Sequence, residues 1–181
     1  MYPALFLDRD GVIIENRPNY VRTWSDVSIY PQALKALQKI EASEYKVFIL
    51  TNQSAVGRGI ISHSTADEIN KRLVKEIESA GGKIDRVIMC PHTPDENCPC
   101  RKPQPGMILD AAASSKLDLS RSILIGDALS DIIAGQAAGV GQNVLVYTGR
   151  GLAQSRLPLA SQIPPFLVCE NLLTALSDLI P

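Results

Sequence analysis

The sequence predicts an α/β fold in three layers, a parallel sheet with helices packed on both faces. Three observations predict it. Short β-branched runs alternate with longer amphipathic stretches along most of the chain. The run Lys46-Val47-Phe48-Ile49-Leu50 is nearly continuous in apolar character, as a strand covered on both faces should be. Polar residues able to do chemistry follow three of these runs directly, at the carboxyl ends of strands, where open α/β sheets bind ligands.

The elements follow in order. Ala4 to Leu7 reads as the first strand and ends at Asp8. Pro31 opens a helix with Leu34, Leu37 and Ile40 on one face. Lys46 to Thr51 is the second strand. Ser64 to Ala80 is an amphipathic helix with Ile69, Leu73 and Ile77 at i, i+4 and i+8; Thr65 and Glu68 resemble a capping box, and Gly81-Gly82 ends it. Arg86 to Cys90 is a strand, followed by a proline-rich loop to Pro105. Gly106 to Lys116 is helical, Ser122 to Gly126 a strand, and Ala128 to Ala138 a helix stopped by Gly139. Asn143 to Tyr147 and Phe166 to Cys169 read as strands, and Glu170 to Ile180 as a closing helix.

The chain has 181 residues, 45% of them hydrophobic, enough for one sizeable core. Residues 1–181 are read as one domain. The formal net charge is −1, which gives no global attraction to nucleic acid or an anionic membrane. No apolar run reaches membrane-spanning length, and Met1 to Leu7 lacks the basic region of a signal peptide. A cytoplasmic protein is expected, and a monomer.

The segment Asp8-Arg9-Asp10-Gly11 places two carboxylates at i and i+2 just past a strand. One can attack phosphorus while the other protonates the leaving oxygen and later activates water. Gly11 lets the chain turn sharply away. In Gly126-Asp127-Ala128-Leu129-Ser130-Asp131, Asp127 ends a strand and Asp131 lies one helical turn on. With Asp8 and the Asp10 carbonyl these make an all-oxygen site suited to Mg²⁺. Thr51-Asn52-Gln53 offers a hydroxyl and N–H groups to phosphate. Lys102, in Arg101-Lys102-Pro103, can balance the carboxylates. Taken singly, these segments also read as a solvated acidic turn, an N-cap, a turn and a solvated basic pair.

Cys90-Pro91-His92 and Cys98-Pro99-Cys100 give the spacing C-x-H-x5-C-x-C. Three thiolates and an imidazole suit tetrahedral Zn²⁺, and with all four positions filled the site is structural. Reduced, unliganded cysteines are the alternative. Cys169 stands apart and reads as a small buried residue.

The order Asp-x-Asp, Thr, Lys, Gly-Asp-x-x-x-Asp resembles the haloacid dehalogenase superfamily from Ala4 to Tyr147. The resemblance implies a Rossmann-like sheet and a phosphatase, since dehalogenases of that superfamily typically lack the second aspartate. By resemblance Asp8 is the nucleophile and Asp10 the general acid/base. Thr51 and Lys102 hold the transferring phosphoryl group. Asp8, Asp10 and Asp127 hold Mg²⁺, and Asp131 supports that metal shell. No insertion large enough for a cap domain is present, so loops such as Glu15 to Tyr20 must wall the site; Asn16 and Tyr20 read first as surface-loop residues, with reach to a sugar hydroxyl as the alternative.

Two phosphatase groups of that superfamily share the Cys–His loop, the heptose bisphosphatases of lipopolysaccharide precursor synthesis and the histidinol-phosphate phosphatases. The five residues between His92 and Cys98 resemble the histidinol-phosphate group. Thr51 to Gly59, Arg101 to Met107, Ala137 to Val140 and Val144 to Gly149 resemble the heptose group. Ala128 and Ala55 depart from it, standing where lysine and glycine are common. The balance implies a phosphorylated sugar, D-glycero-D-manno-heptose 1,7-bisphosphate, losing its 7-phosphate, with histidinol phosphate as the alternative. Asn52, Gln53, Ser54, Arg58 and Arg101 are the expected substrate contacts. A catalytically idle, zinc-stabilised binding module is the competing class, and the intact Asp8, Asp10, Lys102 and Asp127 set argues against it.

Overall fold

A computed structural model describes residues 1–180. Strand β1 (Ala4–Leu7) is followed by helix α1 (Pro31–Lys39), β2 (Lys46–Asn52), the one-turn α2 (Ser54–Gly57), α3 (His63–Ser79) and β3 (Arg86–Cys90). Then come α4 (Gly106–Ser115), β4 (Ile123–Gly126), α5 (Leu129–Ala138), β5 (Gln142–Val146), the short α6 (Gly151–Gln154), β6 (Leu167–Cys169) and α7 (Leu172–Leu179).

The six strands form one sheet in the order β3-β2-β1-β4-β5-β6, every pair parallel. The chain runs outward from β1 to β3, then returns to lay β4 on the other side of β1. Strand order therefore reverses between β1 and β4. A crevice opens at their carboxyl ends, because the connections leave in opposite directions there. Leu7 pairs with Ile125, so Asp8 and Asp127 emerge side by side at that crevice.

Period-two alternation sorts the strand residues onto two faces. Leu5, Leu7, Val47, Ile49, Ile125 and Val146 pack against α1, α3 and α7. Ala4, Phe6, Phe48, Leu50 and Leu124 pack on the opposite face with Met107, Ile108 and Ala111 of α4. Burying each such Leu, Ile or Phe contributes roughly 1.5–3 kcal/mol. Both faces are dry, which is why β1 and β4 are buried along their whole length.

Most element ends agree with the sequence pattern to within a residue or two. One cap differs. Ser62, rather than Thr65, caps α3, its hydroxyl accepting from the Thr65 N–H at 3.0 Å. Serine at that place satisfies an otherwise unpaired first-turn donor, and Thr65 falls inside the helix. The short α2 was not expected, since four residues are too few to show a period. Gly139 takes the left-handed conformation (φ +81°) that stops α5. Cys169 is half-buried rather than buried, because β6 is an edge strand. Between β1 and α1 the only helical turn is Trp24–Asp26, so loops border the crevice on that side. Among the described residues no helix is long and apolar enough to cross a membrane.

Candidate active site

β1 delivers Asp8 into the crevice, and the Asp8 N–H donates to the Ile125 carbonyl of β4 at 3.0 Å. Gly11 then turns the chain at φ +93°. A side chain there would run into the Asp127 carboxylate and the Asn16 amide, so the turn needs glycine for space as well as for backbone angle.

The sheet edge and the proline-rich loop bring Lys102 to Asp8. The Lys102 ammonium lies 2.6 Å from Asp8 Oδ1 and 2.6 Å from Asp131 Oδ1, and donates to the Leu50 carbonyl at 2.8 Å. It is 5% exposed. Burial acts to lower its pKa, but Asp131 and Asp8 outweigh that and hold it above the ordinary lysine value. Asn52 fixes the loop in place. Its amide donates to the Lys102 carbonyl (3.1 Å) and accepts from the Lys102 N–H (3.2 Å).

Asp127 is fully buried and Asp131 nearly so. Burial raises the pKa of both, Asp131 to about 6, with the nearby Asp8 charge adding to each. Arg150 opposes this at Asp127. Its backbone N–H and guanidinium donate to the two carboxylate oxygens at 2.9, 3.2 and 3.0 Å. Oxygen atoms of Asp8, Asp127 and Asp131 lie within 4.8 Å of one another. Beside them, Asn16 Oδ1 is a buried acceptor with no hydrogen-bond partner. An all-oxygen cluster rich in acceptors fits a hard divalent cation such as Mg²⁺.

Gln53 donates one amide to both Asp10 Oδ2 (3.1 Å) and Thr51 Oγ1 (2.8 Å), linking two of the expected site residues. Thr51 itself is fully buried. A cavity of about 690 Å³ opens over this group, lined by Asp8, Asp10 and Lys102 at its floor and by Asn16, Arg101 and Arg150 on its walls. Ser54 and Tyr20 also border it. Arg58 does not: it is exposed and lies outside that lining. A separate groove of about 560 Å³ between α3 and β3 contains none of the three clustered carboxylates.

Cys90, His92, Cys98 and Cys100 converge, with ligand atoms within 4.8 Å of one another and sulfur–sulfur distances of 3.1 to 3.5 Å. The cysteines are free. Burial pushes the Cys90 thiol up, whereas at Cys98 it is overcome by hydrogen bonds from Cys100 and Cys90 that bring the thiol down to about 7. Three soft sulfurs and one imidazole nitrogen at this spacing fit Zn²⁺. The loop is tied to the cavity by Arg101, whose guanidinium donates to the His92 carbonyl at 3.0 Å.

Sequence reasoning missed Arg150 and read nothing from Arg9. A basic residue just past a buried strand, at the sheet's carboxyl rim, was the available signal for Arg150. Arg9 sat in the unspecified middle position of Asp-x-Asp.

Comparison with known proteins adds four findings. Residues 99–175 match a family model described as HAD-hydrolase-like. The chain is 35% identical over 179 residues to the D-glycero-beta-D-manno-heptose-1,7-bisphosphate 7-phosphatase of Bordetella bronchiseptica, covering 97% of each chain. It is 41% identical over 145 residues to the Rhodopseudomonas palustris enzyme of the same name, covering 76% of this chain and 80% of that one. The crystal structure of D,D-heptose 1,7-bisphosphate phosphatase from B. bronchiseptica, complexed with magnesium and phosphate, superposes with a TM-score of 0.90 at 33% identity, covering 98% of both chains.

Proposed function

The chain belongs to the HAD-like hydrolase family that contains the D-glycero-beta-D-manno-heptose-1,7-bisphosphate 7-phosphatases, and we propose that it removes the 7-phosphate of the β-anomer of that sugar bisphosphate. The observation that carries this reading is the triangle of Asp8, Lys102 and Asp131 beneath a cavity that Asp10 also faces. A carboxylate can approach a phosphate dianion only where fixed cations offset their repulsion.

In this reading Asp8 attacks the 7-phosphoryl phosphorus. The bond from phosphorus to O7 breaks, O7 takes the proton of Asp10, and the heptose 1-phosphate departs. Asp10 then takes a proton from water as the water oxygen attacks the aspartyl-phosphate. Inorganic phosphate leaves and Asp8 is restored. Lys102 holds the attacking carboxylate in line and neutralises charge on the phosphoryl oxygens, with the Thr51 hydroxyl as a further donor. The Asp8 and Asp127 carboxylates with the Asp10 carbonyl would hold Mg²⁺, which supplies positive charge against the phosphoryl oxygens. Asp131 serves that shell through Lys102.

Arg101 faces the retained 1-phosphate, for which a guanidinium fork is suited. Ser54, Asn52 and Gln53 border the same cavity, and Asn52 and Gln53 also hold Lys102 and Asp10. Zn²⁺ on Cys90, His92, Cys98 and Cys100 keeps the loop that anchors Arg101. The five-residue spacing of that loop favours a second reading, histidinol-phosphate hydrolysis. Kinetics on both heptose bisphosphate anomers and histidinol phosphate separate the two. The β-anomer should show the highest kcat/KM, and a higher value for histidinol phosphate would overturn the choice.

A further inference from the structure

Alternation along β1 continues past its last residue. Leu5 and Leu7 face the side covered by α3, and Arg9 falls on that side too, while Asp8 and Asp10 face the crevice. Arg9 is therefore a charged side chain in a dry interior, 1% exposed. An arginine so placed needs a partner for its charge and acceptors for its donors.

Two residues supply them. Arg9 Nε donates to Asp10 Oδ2 at 2.9 Å and Arg9 Nη2 to Asp10 Oδ1 at 3.2 Å, a bidentate fork on one carboxylate. Arg9 Nη1 donates to Asn70 Oδ1 at 2.8 Å. Asn70 is itself buried on α3, 61 positions away, among Ile69 and Leu73. A polar side chain on the buried face of an amphipathic helix requires a reason, and the Arg9 guanidinium is the group it meets. The planar fork fixes the plane of the Asp10 carboxylate as well as its position. Gln53 adds one further donor to Asp10 Oδ2. Arg9 and Asn70 do not line the cavity that holds Asp8.

We propose that Arg9, oriented by Asn70, is a positioning residue that sets the Asp10 carboxylate for proton transfer to the leaving oxygen. The inference rests on the reading of Asp10 as general acid. The competing account is that Arg9 merely staples β1 to α3, in which case its loss lowers stability without regard to the leaving group.

The leaving group separates them. A sugar alkoxide departs only with a proton, whereas the nitrophenolate of p-nitrophenyl phosphate departs without one. The readout is kcat/KM on each, which reports the steps through departure of the leaving group. The variants are Asn70→Ala, Asn70→Asp, Arg9→Met and, as reference, Asp10→Asn, with folding checked by thermal melts. Asp10→Asn should lower the sugar-phosphate value by about 10²- to 10⁴-fold and the aryl value far less. Asn70→Ala and Arg9→Met should repeat that asymmetry at roughly 10- to 100-fold on the sugar phosphate, the scale of a slightly misplaced catalytic group. Asn70→Asp, which keeps the acceptor for Arg9 Nη1, should recover most of the loss. Equal losses on both substrates, or none on either, from a folded Asn70→Ala protein would overturn the positioning role while leaving Asp10 as the acid. Equal losses from Asp10→Asn would overturn the reading of Asp10, and this inference with it. Should Arg9→Met not fold, the Asn70 pair decides alone.

Discussion

Lys102 Nζ and Asp8 Oδ1 stand 2.6 Å apart across 94 positions of sequence, both in the buried interior of the crevice. The pairing exists because β1 is central and the loop after β3 is clamped to Asn52 at the end of β2. It places an ammonium against the carboxylate assigned as nucleophile. The same ammonium meets Asp131, so one cation serves two buried carboxylates.

Lys102→Met should therefore do two separable things. Activity should fall by at least about 10²-fold, from loss of fixed positive charge at the phosphoryl group. Stability should fall by about 3–5 kcal/mol, because two carboxylates lose their buried partner. Adding Asp131→Asn should return part of the stability and none of the activity. Thermal melts and kcat/KM on the three proteins measure this; joint recovery of stability and activity would contradict the assignment.

Magnesium affinity should depend on pH near 6. Burial raises the pKa of Asp127, a proposed ligand, and brings that of Asp131, which supports the metal shell through Lys102, to about 6, so protonation weakens the site well above the usual carboxylate range. Titration calorimetry should show tight binding at pH 7.5, weakening through pH 6 and strong loss at pH 5. The stability of the metal-free protein carries the opposite sign. Asp131 binds a proton more tightly folded (about 6) than its ordinary value of 3.8. Its contribution is thus fully present below 3.8 and is lost as pH rises through about 6. Affinity that stays flat from pH 7.5 to 5 would speak against the carboxylate site.

Cys98→Ala should release zinc and lower kcat/KM by roughly 10- to 100-fold, the usual cost of losing an outer supporting contact. The route is the His92 carbonyl, which anchors the Arg101 guanidinium. Metal analysis and kinetics on the same preparation test it. Full activity in a zinc-free variant would sever the link between the loop and the cavity.

Gly11→Ala should cost about 1–2 kcal/mol from the left-handed backbone alone, and more from contact with the Asp127 carboxylate. Because that contact moves a proposed metal ligand, magnesium affinity should fall along with the melting temperature. A variant melting like the parent would show that the turn has other room.

The sequence makes the chemistry legible where residue identity and spacing are sufficient. Asp8 and Asp127 were readable because each follows a buried strand, and the reversal of strand order then makes them neighbours. The cysteine–histidine set was readable because its four members lie within eleven residues. Side-chain direction was not legible. Asn52 and Gln53, expected to contact substrate, line the cavity, and their amides also hold Lys102 and Asp10, a role that spacing does not show. Arg58, an attractive phosphate ligand by type, falls on the exposed side of the turn after α2. Arg150 lies 23 positions from Asp127 and meets it only because β4 and β5 are adjacent. Short elements such as α2 and α6 escaped because four residues carry no period.

Covalent transfer of phosphate to Asp8 is the step on which the proposed mechanism turns. Mixing enzyme, Mg²⁺ and the heptose bisphosphate, quenching within the first turnover and reducing with borohydride converts an aspartyl-phosphate to homoserine. Mass spectrometry should then find homoserine at position 8 and nowhere else. Unaltered Asp8 during rapid turnover, or the label on another carboxylate, would contradict the account.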